Sequence, residues 1–137
     1  MSTDTRKLRA PETTTKRILV VDDDVSVRSL ITKTLQTKGY EVEQAVDGLD
    51  ASKRLRNTVR PPDLIICDVM MPLIDGFAFV RIVRSDAQLR SVPIVFLSAK
   101  SDPSSMVEGL SLGAIHYMQK PFRIAELLEK VGRALSG

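Results

Sequence analysis

Ile18-Leu19-Val20-Val21-Asp22-Asp23-Asp24 is the stretch on which the fold turns. Four aliphatic residues run at once into three acids, which reads as a short buried strand with carboxylates at its carboxyl tip. A second run, Leu64-Ile65-Ile66-Cys67, ends the same way at Asp68. In open parallel sheets the carboxyl ends of strands are where ligands bind. Crowded carboxylates resist this arrangement: two full charges 4 Å apart repel by roughly 4 kcal/mol at an effective dielectric near 20. Something positive must sit among them. For donors that are all oxygen, a hard divalent cation such as Mg²⁺ is the natural candidate.

Working outward, apolar runs alternate with helical periodicity from Lys16 to the end. Val27, Leu30, Ile31 and Thr34 predict one buried helix face, closed by Gly39. Tyr40 to Ala45 alternates and predicts a half-exposed edge strand. Asp47 to Arg56 predicts a second helix with Ala51 and Leu55 inward, ended by Pro61-Pro62 before the Leu64 strand. Asp75-Gly76 opens a third helix to about Arg84. Ile94 to Leu97 is another wholly apolar strand, running out at Ser98-Ala99. A helix from about Pro103 to Leu112, closed by Gly113, leads to a mixed strand at Ala114 to Met118. The last helix carries Ile124, Leu127, Leu128, Val131 and Leu135 at helical spacing. Five such units in succession predict an α/β fold, a flavodoxin-like (βα)5 three-layer sandwich. The three all-apolar strands belong in the middle and the two mixed ones at the edges, which gives a five-stranded parallel sheet in the order 2-1-3-4-5.

A chain of 137 residues suggests one domain, and 43% hydrophobic residues suffice for its core. The single cysteine, Cys67, excludes an internal disulfide and, as a small buried strand residue, fits a reducing cytoplasm. No apolar stretch is long enough to span a bilayer. The net charge of +3 is uneven: residues 1–17 carry five basic and two acidic groups, which leaves the body neutral. Residues 1–15 are expected to be a disordered basic leader, and residues 16–137 one domain with no separate output domain.

Four groups follow four different strands: Asp22-Asp23, Asp68, Ser98 and Lys120. With Asp68-Val69-Met70-Met71-Pro72, Asp75-Gly76, Ser98-Ala99 and Tyr117-Met118-Gln119-Lys120-Pro121-Phe122, the set resembles the receiver domain of two-component response regulators, of the single-domain chemotaxis type. The resemblance covers about residues 16 to 135. It implies that Asp68 is the phosphoacceptor, attacking the phosphoryl group of a phosphohistidine on a sensor histidine kinase or phosphotransfer protein. It implies Mg²⁺ as cofactor, held by the Asp23 and Asp68 side chains and the Met70 backbone carbonyl, with Asp22 assisting. Lys120, the Ser98 hydroxyl and the Ala99 amide would bind phosphoryl oxygens. Ser98 and Tyr117 would form the switch, and Lys120-Pro121 would be cis. Met70 and Lys100 would flank the path of water to the phosphoryl group.

The chain is then no enzyme beyond its own phosphotransfer and dephosphorylation. Its output face would be the Pro103–Leu112 helix, the 114–118 strand and the 121–135 segment, which would bind a protein target or a second copy. With a neutral body, no helix-turn-helix segment and no room after Leu135, the chain is expected to stand alone, to bind neither DNA nor membrane directly, and to be cytoplasmic. Two alternatives compete. One is a scaffold of the same fold that is never phosphorylated. The other is a haloacid-dehalogenase-type phosphatase, because Asp22-x-Asp24 resembles the first motif of that class; it would have only Asp102 to offer as a later acid. Asp24 is expected to cap the following helix instead. His116, the only histidine, is expected to face solvent on an edge strand.

Overall fold

The computed structural model describes residues 15–100 and 102–136. The leader expected at 1–15 lies, but for residue 15, outside them. The elements run β1 (Arg17–Val21), α1 (Val25–Thr37), β2 (Glu41–Ala45), α2 (Gly48–Arg56), β3 (Leu64–Asp68), α3 (Gly76–Ser85), β4 (Ile94–Ser98), α4 (Pro103–Ser111), β5 (His116–Gln119) and α5 (Ile124–Ser136). The strands form one parallel sheet in the order β2-β1-β3-β4-β5. This is the topology the alternation of oily and mixed runs predicts.

Period-two alternation splits each central strand between two cores. Ile18, Val20, Leu64, Ile66, Val95 and Leu97 face one side, under Ile31 and Leu35 of α1 and Leu127 and Val131 of α5. Leu19, Val21, Ile65, Cys67, Ile94 and Phe96 face the other, under Ala51 and Leu55 of α2 and Phe79, Val80 and Val83 of α3. Burial on both faces is why these runs contain no polar residue before their last position. The helices start where aspartates stop the strands and turns. Asp24, Asp47, Asp75 and Asp102 each accept a hydrogen bond from a first-turn backbone N–H, a cap worth typically about 1 kcal/mol. Gly39 and Gly113 close α1 and α4 at φ of +89° and +88°.

Four readings need correction. Leu30 is 48% exposed. The buried stripe of α1 is Ile31, Thr32 and Leu35, and at 100° per residue Leu30 lies well round the helix from its centre. In α5, Ile124 is exposed at the first position, and Ala134 is buried with Leu127 and Val131. β5 starts two residues late, at His116, because Ile115 N makes the first bond, to Ile94 O at 2.8 Å. His116 itself is half-buried rather than solvent-facing. Its Nε2 is buried without a hydrogen-bond partner, and burial together with Lys130 and Arg133 on α5 lowers its pKa, against the pull of Glu129.

The β3–α3 connection holds one local strain. Leu73 has φ of 75° and is 76% exposed. Ile74 N donates to Pro72 O at 2.9 Å, so Leu73 is the central residue of a γ-turn of the rare positive-φ kind. Left-handed backbone costs a non-glycine residue about 1–2 kcal/mol, while glycine there loses roughly 0.5–1 kcal/mol in chain entropy. Leu73→Gly is therefore expected to raise stability by about 0.5 kcal/mol in urea unfolding. A loss instead would mean that the exposed side chain makes compensating contacts.

Candidate functional site

The end of β1 places adjacent acids in opposite surroundings. Asp22 is 1% exposed and Asp23 is exposed, as alternation at a strand tip requires. Asp22 uses all its polar groups. Its N donates to Ala45 O at 3.2 Å, and its carbonyl accepts from Arg28 Nη1 at 2.7 Å. Its Oδ1 accepts from Asp24 N at 2.9 Å and its Oδ2 from Lys120 Nζ at 2.9 Å. Asp24 is absorbed by its cap, accepting from Ser26 N and Val27 N.

Asp68 ends β3, the next strand over, and is buried. Its Oδ1 accepts from Met70 N at 3.3 Å, and its Oδ2 lies 3.3 Å from Lys120 Nζ. Carboxylate oxygens of Asp22, Asp23 and Asp68 come within 4.8 Å of one another. Lys120 reaches them because its own N donates to Ser98 O at 2.8 Å, which fixes the exit of β5 beside β4. The Lys120-Pro121 bond is cis, as the sequence resemblance implies.

The electrostatics follow from burial. Desolvation and then the charge of Asp22 push the Asp68 carboxyl up to about 6, with the Lys120 ammonium and the Met70 amide pulling it down. For Lys120 burial acts downward, but its bonds and charges with Asp22 and Asp68 outweigh it and hold the ammonium above its usual value. One lysine thus offsets part of a two-carboxylate repulsion. The oxygen-only donor set fits a hard divalent cation that would offset the rest. Cys67 is buried and its thiol pushed well up by desolvation, so it stays a neutral packing residue.

The remaining predicted residues lie around this centre. Ser98 is fully buried at the tip of β4, and its Oγ accepts from Lys100 N at 3.0 Å rather than meeting a carboxylate of the cluster. Ala99 follows it at the surface and lines a small apolar depression with Val27, Leu30, Lys120, Pro121 and Phe122. Tyr117 donates its hydroxyl to Lys100 O at 2.7 Å, its ring tilted against Phe96. Met70 is exposed, and its side chain lines a cleft of about 510 Å³ with Asp23, Lys100 and Glu108. Asp102, the later acid a phosphatase reading would need, is the cap of α4 and is held at about 2 by Ser104 and Ser105. Sequence reasoning missed Arg28. Its signal was a basic residue in the first turn of a helix, where the helix dipole disfavours it.

The model of the response regulator receiver domain matches residues 18–132. Response regulator MprA of Mycobacterium sp. (strain KMS) is 44% identical over 119 residues, which is 87% of this chain and 50% of MprA. The DNA-binding dual master transcriptional regulator RpaA of Synechocystis is 37% identical over 119 residues, 48% of its length. Among solved structures, chemotaxis protein CheY4 of Vibrio cholerae aligns with a TM-score of 0.82 at 38% identity, covering 89% of this chain and 100% of CheY4. A response regulator from Chloroflexus aurantiacus, described as putative, aligns at 0.84 and 35%, covering 90% and 100%.

One expectation is overturned. The chain spans about half the length of the curated relatives it matches, and one of them is named as DNA-binding. A stand-alone protein with no DNA binding is therefore not supported. The neutral charge that suggested it describes residues 18–137 alone. A regulator that contacts DNA through a separate part needs no basic face on this one.

Proposed function

The chain belongs to the response regulator receiver domain family, and from that premise we propose that Asp68 is its phosphoacceptor. The observation that carries this reading is the pairing of buried Asp68 with Lys120 at 3.3 Å, beside Asp22 and Asp23. The donor is a phosphohistidine of a kinase or phosphotransfer protein. An Asp68 oxygen forms the new bond to phosphorus as the phosphorus–nitrogen bond breaks. The electron pair leaves with the imidazole nitrogen, which takes up a proton.

A carboxylate is a weak nucleophile, so the work lies in positioning and in stabilising charge. Lys120 supplies a fixed cation toward the phosphoryl oxygens. The Ser98 hydroxyl and the Ala99 amide supply hydrogen bonds once Ser98 releases Lys100. Asp23, Asp68 and the Met70 carbonyl would hold Mg²⁺, with Asp22 assisting, its own oxygens being already engaged. When bound, the ion neutralises the crowded carboxylates and the incoming phosphoryl group. Movement of Ser98 toward the phosphoryl group would free the space beside it, and Tyr117, tied now to Lys100 O, would swing inward. The receiver unit is assigned to residues 16–137, and the name of RpaA supports an output at DNA for the regulator this unit serves.

Intact-mass measurement after incubation with acetyl phosphate and Mg²⁺ tests the acceptor. Wild type should gain one phosphoryl group, and should gain none when Mg²⁺ is chelated. Asp68→Asn, which keeps the shape but removes the nucleophile, should gain none. Phosphorylation of that variant at the wild-type level would move the acceptor elsewhere.

A further inference from the structure

Arg28 is a cation beside the acidic cluster that the proposed chemistry does not use. It stands in the first turn of α1, where the helix dipole disfavours a positive charge. Among the described residues it has no carboxylate partner. Its Nη1 donates to the Asp22 carbonyl at 2.7 Å and its Nε to Gln44 Oε1 at 3.2 Å. Of the four bonds that fix Asp22, one belongs to the edge of the sheet, one to the cap turn and one to Lys120. The fourth, on the carbonyl, comes from Arg28. That carbonyl leads directly into the peptide of Asp23, whose exposed carboxylate has no such ties among the described residues.

We propose that Arg28 is a positioning residue for the divalent-cation site: it clamps the Asp22–Asp23 peptide and so holds the two carboxylates at the separation a cation needs. The inference rests on the reading of the acidic cluster as a Mg²⁺ site. Two effects of Arg28 have opposite signs, which makes the idea testable. As a bare charge near the cluster, Arg28 repels a cation, and its removal would tighten binding. As a clamp, it preorganises the donors, and its removal weakens binding.

The experiment is a titration of the whole protein with Mg²⁺ alone, followed through the backbone amides of Asp23 and Met70 by NMR. Arg28→Met keeps the aliphatic length and loses every donor. Its Mg²⁺ dissociation constant should rise about tenfold, the usual size for losing a group that orients a metal ligand. Arg28→Lys, with an ammonium still able to donate to the carbonyl, should recover part of the loss. A natively folded Arg28→Met protein that binds Mg²⁺ as tightly as wild type, or more tightly, overturns the proposal. Wild type alone supplies a second check that does not depend on any variant folding. The Arg28 Nε resonance should shift along the same binding curve as the Asp23 amide, and a resonance that stays still also overturns it. If wild type binds no Mg²⁺, this inference and the proposed cation site fall together. If wild type binds Mg²⁺ and is phosphorylated on Asp68 while Arg28→Met matches it, only the clamp falls.

Discussion

Lys120→Met is expected to slow phosphorylation of Asp68 by acetyl phosphate about a hundredfold or more, the usual cost of removing one preorganised donor to developing negative charge. The geometry makes Lys120 hard to replace. Its ammonium lies 2.9 Å from Asp22 Oδ2 and 3.3 Å from Asp68 Oδ2, and it is the cation bridging the two buried acids. The pH dependence separates this from a general loss of structure. In the metal-free wild type the Asp68 carboxyl is pushed up to about 6 by burial and Asp22 and held down by Lys120, and a bound cation would lower it in wild type and variant alike. Without the lysine it moves higher, so the carboxylate form, the only nucleophilic one, is lost at higher pH. The acid limb of the rate profile should shift to alkaline values. Stability follows the same sign. A carboxyl whose folded value lies above its unfolded value contributes stability at low pH that is lost as pH rises through the folded value. Lys120→Met should therefore lose more stability than wild type between pH 5 and pH 8, measured by urea unfolding in a chelating buffer. A variant with wild-type rate and an unshifted profile would remove Lys120 from the site.

The second large effect is steric. Gly76 begins α3 with its backbone pressed against the end of β3, and its N donates to Val69 O at 2.8 Å. A Cβ there would collide with the Asp68 carbonyl oxygen and sit 2.9 Å from Val69 Cα. Those are backbone atoms of the buried end of β3 and the residue after it, which cannot step aside as a flexible side chain would. Gly76→Ala is expected to cost about 3 kcal/mol or more, and to lower the melting temperature by about 10 °C. Because the displaced carbonyl belongs to the proposed phosphoacceptor, the folded fraction should also react slowly. A melting temperature within a degree or two of wild type would mean that α3 can slide away from the strand without penalty.

Most of this architecture could be read from the chain. Three runs without a polar residue had to be central, and two mixed runs had to be edges, because the covering helices leave the middle strands no wet face. Helix starts were legible for a similar local reason, since Asp24, Asp47 and Asp75 each stand where a cap is needed. What escaped was rotation and partnership. Periodicity shows that α1 has an apolar stripe but not where its centre lies, so Leu30 was assigned inward although it borders the depression beside Ala99 and Phe122. Adjacent acids look alike in a sequence, yet one residue of pleat makes Asp22 a buried, fully bonded group and leaves Asp23 open. Arg28 was invisible because its partner is a backbone carbonyl, which no residue letter encodes. The expectation about DNA failed for another reason: charge counted on one folding unit carries no information about a neighbouring one.

Lys120 meets Asp22 across 98 positions of chain, and the strands that deliver them are separated by two others in the sheet. No local piece of the polypeptide can therefore be reactive by itself. A nascent or half-melted copy carries the same aspartates as a finished one, but lacks the cation that makes one of them useful. On the proposed chemistry, competence would appear only with the last βα unit in place, so a phosphorylated population would also be a quality-checked one, and a cell signalling through it would ignore misfolded copies without needing a separate inspector.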